Sequence, residues 1–315
     1  MILDLSRRIH EIRKLFLVIS PLSYLTPNSH PTSKIIIMTS FSSRFLAEFR
    51  LPIFSLHDTN GKAIDLKESF APSSKIVCGI KFLLVLFAIS GVIIDITGDP
   101  DPDFWIAYLT HWGEIFGTAY LLLSFISAVG WIPVIILEDT REGEKVSATI
   151  WTEIVWGLFP GIMTVQMIIV AMFWLTVYKG ETKTYEIIFG HGLLLLAIAL
   201  DGHVLNRTPI RVKQIAFVYL IAIAYTIWTL IHGLATNIGN PDHVNTGADD
   251  DAIYGIINWS ARPLTTFITV AIVYVVVAPL FFAICWGLSI GVPRRYLSKE
   301  KEEADDVVNI TTSLL

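Results

Sequence analysis

Residues 186–213 read EIIFGHGLLLLAIALDGHVLNRTPIRVK, and this stretch decides the fold class. From Ile187 to Leu205 run about nineteen mostly apolar residues, which at 1.5 Å each reach across a ~30 Å hydrocarbon core. The helix stops at Asn206-Arg207-Thr208-Pro209, because the residue before a proline is pushed out of helical dihedrals. Three ionisable residues, His191, Asp201 and His203, ride inside the span. Such groups are costly in hydrocarbon unless they face a bundle interior or a cavity. The span therefore reads as one wall of a polar site inside a membrane bundle. Histidines simply satisfied by neighbouring helices are the plainer reading of the same residues.

Working outward, composition points the same way. The chain of 315 residues is 53% hydrophobic and 16% charged, with a mean hydropathy of +0.61, against the ~25% charged residues of soluble domains. A net charge of -5 argues against nucleic acid as a partner and leaves membrane lipids as the expected surroundings. The two cysteines, Cys78 and Cys285, both fall in apolar runs, so no disulfide framework is expected. The expected fold is all-α, a polytopic membrane bundle of about six transmembrane helices. The spans are placed at 76–97, 105–132, 150–178, 187–205, 213–236 and 264–290. The second and third exceed what a bilayer needs and are expected to tilt or project, and Pro160 is expected to kink the third.

The organisation is a region 1–75, a membrane domain 76–292 and a tail 293–315. Arg7, Arg8, Arg13 and Lys14 interleave with apolar residues in an amphipathic pattern, although Asp4 and Glu11 weigh against an organelle transit peptide. Met38 opens a stretch that would serve equally as a start, so residues 1–37 are read as dispensable, and 60–74 as a polar lead-in. Loop charge sets an orientation. The loop GDPDPDF holds three aspartates and no base, and the fifth loop holds Asp242, Asp249, Asp250 and Asp251 against Arg262. Arg141 and Lys145, then Arg207, Arg211 and Lys213, fill the alternate loops, and PRRYLSKEK opens the tail. The positive-inside rule then puts both termini in the cytoplasm. Only Lys179 and Lys183 in the third loop dissent.

With that orientation, Thr110, His191 and His232 all lie about five residues, ~8 Å, below one interface, together with Asp95, His111 and Glu114. Glu153, Asp201 and His203 form a second layer toward the other face. The outer layer has the residue types of a nucleophile and its base. A hydroxyl attacks only once an imidazole accepts its proton, and that imidazole is itself oriented by a third group. Thr110 is the candidate nucleophile and His191 the candidate base. Asp201, ten residues or ~15 Å along the helix, is too far to orient His191. Glu114, which shares a face with Thr110, His111 or a backbone carbonyl is left for that role. His111 or His232 would supply a hydrogen bond to an oxyanion. In the plainer alternative, Thr110 merely bonds its own backbone. Paired haem histidines are missing from the third and sixth spans, the acidic loops lack a calcium pattern, and no zinc spacing or phosphate loop is present. No metal and no cofactor are expected.

The order of Tyr108-Leu109-Thr110, His191 with Asp201, Arg207-Thr208-Pro209-Ile210-Arg211, and Ile253-Tyr254 to Asn258-Trp259 resembles rolling stone-like multi-pass membrane proteins. These are distantly similar to the androgen-induced protein family, which hydrolyses fatty-acid esters of hydroxy fatty acids with an intramembrane threonine and histidine. The resemblance spans about residues 76–292 and carries those two roles onto Thr110 and His191. The chain departs from the hydrolases at Ile188, where they tend to have a second histidine, and in the polar run His111-Trp112-Gly113-Glu114. What the resemblance implies is a lipid-ester hydrolase. The competing expectation is a non-catalytic scaffold, fusion factor or transporter.

Overall fold

The computed structural model describes residues 43, 45–58, 64–99, 102–140, 143–178, 180, 184–234 and 253–292. Residues 1–37 and the tail from 293 lie outside them, with the expectations attached to both. Among the described residues, six long helices make the bundle. They are α1 (Lys75–Gly98), α2 (Leu109–Ala128), α3 (Ile150–Met172), α4 (Tyr185–Leu205), α5 (Val212–Leu234) and α6 (Pro263–Gly291). Three of them begin at a clear local signal. Ser74 accepts from the Val77 N–H at the head of α1, Thr149 accepts from Thr152 N–H at the head of α3, and Pro263 fills the first turn of α6.

Five of the six, all but α2, are long and apolar enough to cross a membrane. The polar first half of α2, with His111 and Glu114, lowers its hydropathy, but it packs between α1 and α3 as a member of the same bundle. Helix α3 is the axis, with 61% of its apolar window buried against 22% for α1 and 11% for α6. The outward faces of α1 and α6 display Leu83, Ile93, Phe267 and Val275. A bundle as apolar outside as inside has lipid as its solvent, and this is a multi-pass membrane protein.

Several boundaries differ from the sequence reading. The second helix starts at Leu109, because residues Pro102–Ala107 wind as a 3-10 helix and Tyr108 is extended. Helix α3 runs unbroken through Pro160. The interruptions in the bundle are π-turns, at Phe173–Val177 after α3, at Phe189–Leu193 and Leu200–Leu205 within α4, and at Val273–Val277 within α6. The second loop is an antiparallel hairpin, β1 (Ile135–Thr140) paired with β2 (Gly143–Ala148). A segment ahead of the first span, between the stretch read as dispensable and the polar lead-in, is docked onto the bundle. The Arg211 guanidinium bonds both carboxylate oxygens of Glu48 at 3.0 and 3.1 Å and the carbonyls of Ser55 and His57 at 2.8 and 2.7 Å. Phe54 packs on Trp156, and Phe45 on Trp286.

Candidate functional site

Thr110 sits in the first turn of α2, two residues past the extended Tyr108 that lets the chain enter the helix there. His191 sits on the first π-turn of α4 with non-helical dihedrals of -109° and 27°. A π-turn widens the helix by one residue and re-aims the side chains it carries, and such turns are frequent at functional sites. The result places Thr110 Oγ1 and His191 Nε2 3.1 Å apart. The other ring nitrogen, Nδ1, lies 3.1 Å from the Ile187 carbonyl. A carbonyl only accepts, so Nδ1 carries the proton and Nε2 presents its lone pair to the Thr110 hydroxyl. Of the three groups left open as orienter, the backbone carbonyl holds the ring.

Neighbours fix the ring further. Phe173 stacks on His191 at 3.5 Å between centroids, and Trp174 Nε1 donates to the His191 carbonyl at 2.7 Å. Gly190 makes the approach of α4 to α2 possible. A Cβ there would stand 2.4 Å from Glu114 Oε1 and 3.0 Å from Thr110 Cγ2.

The supporting residues divide. His111 lines the same cavity, with Nε2 3.1 Å from Asp95 Oδ2 and Nδ1 against the Trp105 carbonyl. Both its nitrogens face acceptors, which leaves no N–H to offer an oxyanion. Glu114 is fully buried beside the Asp95 carboxyl. His232 is buried against Trp228 and is not among the residues lining the cavity, so it does not supply the expected oxyanion contact. The residue count placed it at the right depth, but its azimuth on α5 turns it away from Thr110. Tyr254, quoted in the sequence only as part of a motif, is the residue that does reach the pair. Its hydroxyl accepts from Leu109 N–H at 3.2 Å and neighbours the Thr110 side chain. Burial pushes this phenol up to about 12, so it remains an O–H donor at neutral pH.

Asp201 belongs to the second layer, as its spacing required, and it is fully engaged there. It accepts from Lys81 Nζ at 2.6 Å, Tyr120 and Ser124 hydroxyls at 2.7 Å and Asn206 Nδ2 at 2.9 Å. Lys81, 1% exposed, was overlooked in the sequence. The signal was a lone lysine in the apolar run of the first span, which inside a bilayer demands a partner. His203 is separate from this cluster, its ring edge-on to Phe159 at 5.0 Å. Glu153 is only half-buried.

Below the Thr110–His191 pair opens a cavity of about 620 Å³, within the range of small-molecule sites. Its walls are apolar residues of α3, α5 and α6, from Val165 to Met172, Val218 to Ala222 and Val270 to Ala278, with Ile253, Ile256 and Ile257 across the top. Between Val218 and Thr226 on α5 it extends ~12 Å along the helix. Fold and site together define a class, a multi-pass helical membrane protein with a hydroxyl–imidazole pair at the head of an apolar cavity. No protein-family model, no curated protein and no solved structure matches the chain.

Proposed function

We propose that the protein is a threonine-dependent hydrolase of long-chain lipid esters. The observation that carries this reading is the 3.1 Å contact from Thr110 Oγ1 to the unprotonated nitrogen of His191 at the mouth of an apolar cavity. The resemblance to rolling stone-like proteins, and through them to the androgen-induced protein hydrolases, supports it, since their motif positions fall on the same two residues.

An acyl chain occupies the cavity and brings its ester carbonyl to Thr110. As the Oγ1–carbon bond forms, the hydroxyl proton passes to His191 Nε2. The developing oxyanion meets the Tyr254 O–H and the positive end of α2, in whose first turn Thr110 stands. Collapse expels the alcohol, which takes the proton from His191, and leaves an acyl-threonine. Water then gives a proton to His191 as its oxygen attacks, and Thr110 leaves as a hydroxyl. Loop charge supports an orientation with both termini cytoplasmic and the site beneath the opposite face. Opposite exposure of tags at the two termini in protease protection would refute that orientation.

The central test is activity-based labelling with a lipid fluorophosphonate. Labelling of wild type, and none of Thr110→Ala, is the expected outcome. Equal labelling of the two removes Thr110 as nucleophile.

A further inference from the structure

The cavity closes at a definite depth. Phe173 stacks on His191, so it marks the height of the reacting pair on α3. From Phe173 the lining descends α3 to Val165, ~12 Å lower. On α5 the mouth is marked by Tyr225, whose hydroxyl donates to the Ala107 carbonyl at 3.0 Å. There the lining ends at Val218, ~10 Å below Tyr225. On α6 it ends at Ala278. These three residues are buried, and the half of α6 from Ala278 to Gly291 packs on both α3 and α5 beneath them. Phe282, one turn below Ala278, is buried as well. The floor is thus hydrocarbon backed by packed core. Pro279 helps to set it. A proline ring inside an unbroken helix strikes the carbonyl four residues back, here that of Val275. The π-turn Val273–Val277 stands directly ahead of Ala278-Pro279 and re-aims the residues that follow, Ala278 first.

Resting on the hydrolase reading, we propose that the cavity measures the acyl arm of the ester, with Ala278 and Val218 as its stop. An extended chain advances about 1.2 Å per bond, a third of the reach of one residue, so this depth holds about ten carbons at most. A chain of that length sets its terminal methyl on the floor. A longer one meets packed side chains, and forcing extra methylenes into a filled interior is unfavourable. The preferred substrate therefore has an acyl arm of medium length. In a long-chain lipid ester of this kind, the greater length lies in the alcohol part.

The test follows the end of the chain directly. Saturated acyl methyl esters that carry a diazirine at the terminal carbon are photolysed on the full-length Thr110→Ala protein in lipid nanodiscs. With Thr110 replaced, no turnover interferes. A probe of about ten carbons is expected to label the peptides that hold Val218 or Ala278, and a probe about twice as long is expected to lose that label. Adding Ala278→Leu raises the floor and is expected to shift its labelling to a probe about two carbons shorter. Adding Val218→Ala lowers the floor and is expected to shift its labelling to a probe about one carbon longer. Val218→Ala removes bulk without adding any, so it decides the matter where Ala278→Leu does not fold. Floor labelling that ignores probe length, none at any length, or variants that leave the length unchanged overturns the proposal. Hydrolysis of the same esters without the diazirine by wild type is read separately. Its absence with the labelling pattern intact overturns the hydrolase reading alone.

Discussion

At the scale of single residues, the position of one proton organises the site. Because the Ile187 carbonyl takes the Nδ1–H of His191, the nitrogen facing Thr110 is the basic one. His191→Ala is expected to abolish ester hydrolysis and leave thermal unfolding in detergent nearly unchanged, since the residue is half-buried at a cavity wall. Thr110→Ser keeps a hydroxyl at the same place and is expected to retain partial activity, measured as kcat/KM on a long-chain lipid ester. The buried Lys81–Asp201 pair is expected to behave in the opposite way. Lys81→Met strands a carboxylate that is 1% exposed and is expected to cost about 3–5 kcal/mol of stability, with less lost in Lys81→Met/Asp201→Asn. Equal melting temperatures for the single and double variants would contradict this.

At the scale of elements, α4 positions the chemistry through its irregularities. Its first π-turn presents His191, and Gly190 beside it admits the α2 side chains. Gly190→Ala adds a methyl where 2.4 Å separates it from Glu114 Oε1, so α4 and α2 must part. The expected outcome is a loss of activity at least as large as the loss of stability suggests, because a displacement of about 1 Å at a reacting pair can cost 10²-fold. Retained kcat with a lowered melting temperature would show that the pair tolerates the shift. At its other end α4 stops on Arg207, a non-glycine residue at φ 53°. Arg207→Gly relieves a left-handed conformation and is expected to stabilise the protein by about 1 kcal/mol, read as a higher melting temperature.

For the whole molecule, the two ends of the bundle carry different polar systems. One end holds the hydroxyl–imidazole pair, and the other the Lys81–Asp201 cluster and the Arg211 clasp. The clasp ties residues 45–58 to the bundle although they lie more than 150 positions away in sequence. Glu48→Ala leaves the buried Arg211 without its carboxylate and is expected to speed tryptic cleavage at Arg50, with about 1–3 kcal/mol lost. An unchanged cleavage rate would mean that the backbone carbonyls of Ser55 and His57 hold Arg211 alone. Asn258 is likewise structural at this scale. It is 3% exposed, and its Oδ1 accepts from Ser260 and the Ala261 N–H, so the Asn258-Trp259-Ser260 sequon is spent on the turn into α6.

The sequence by itself determined that this chain is a helical membrane bundle, because runs of apolar residues long enough to cross hydrocarbon are a property of composition along the chain. It also ranked depth, since rise per residue is constant, and so placed Thr110 and His191 in one layer and Asp201 in another. Azimuth was not legible. Which way a side chain points depends on π-turns and close helix contacts at glycine, and these are settled by packing among distant segments. His232 therefore fell outside the cavity despite its depth, and Tyr254 came in from a loop. Lys81 met Asp201 120 positions away. A buried charge requires a partner, and only the tertiary structure selects which one.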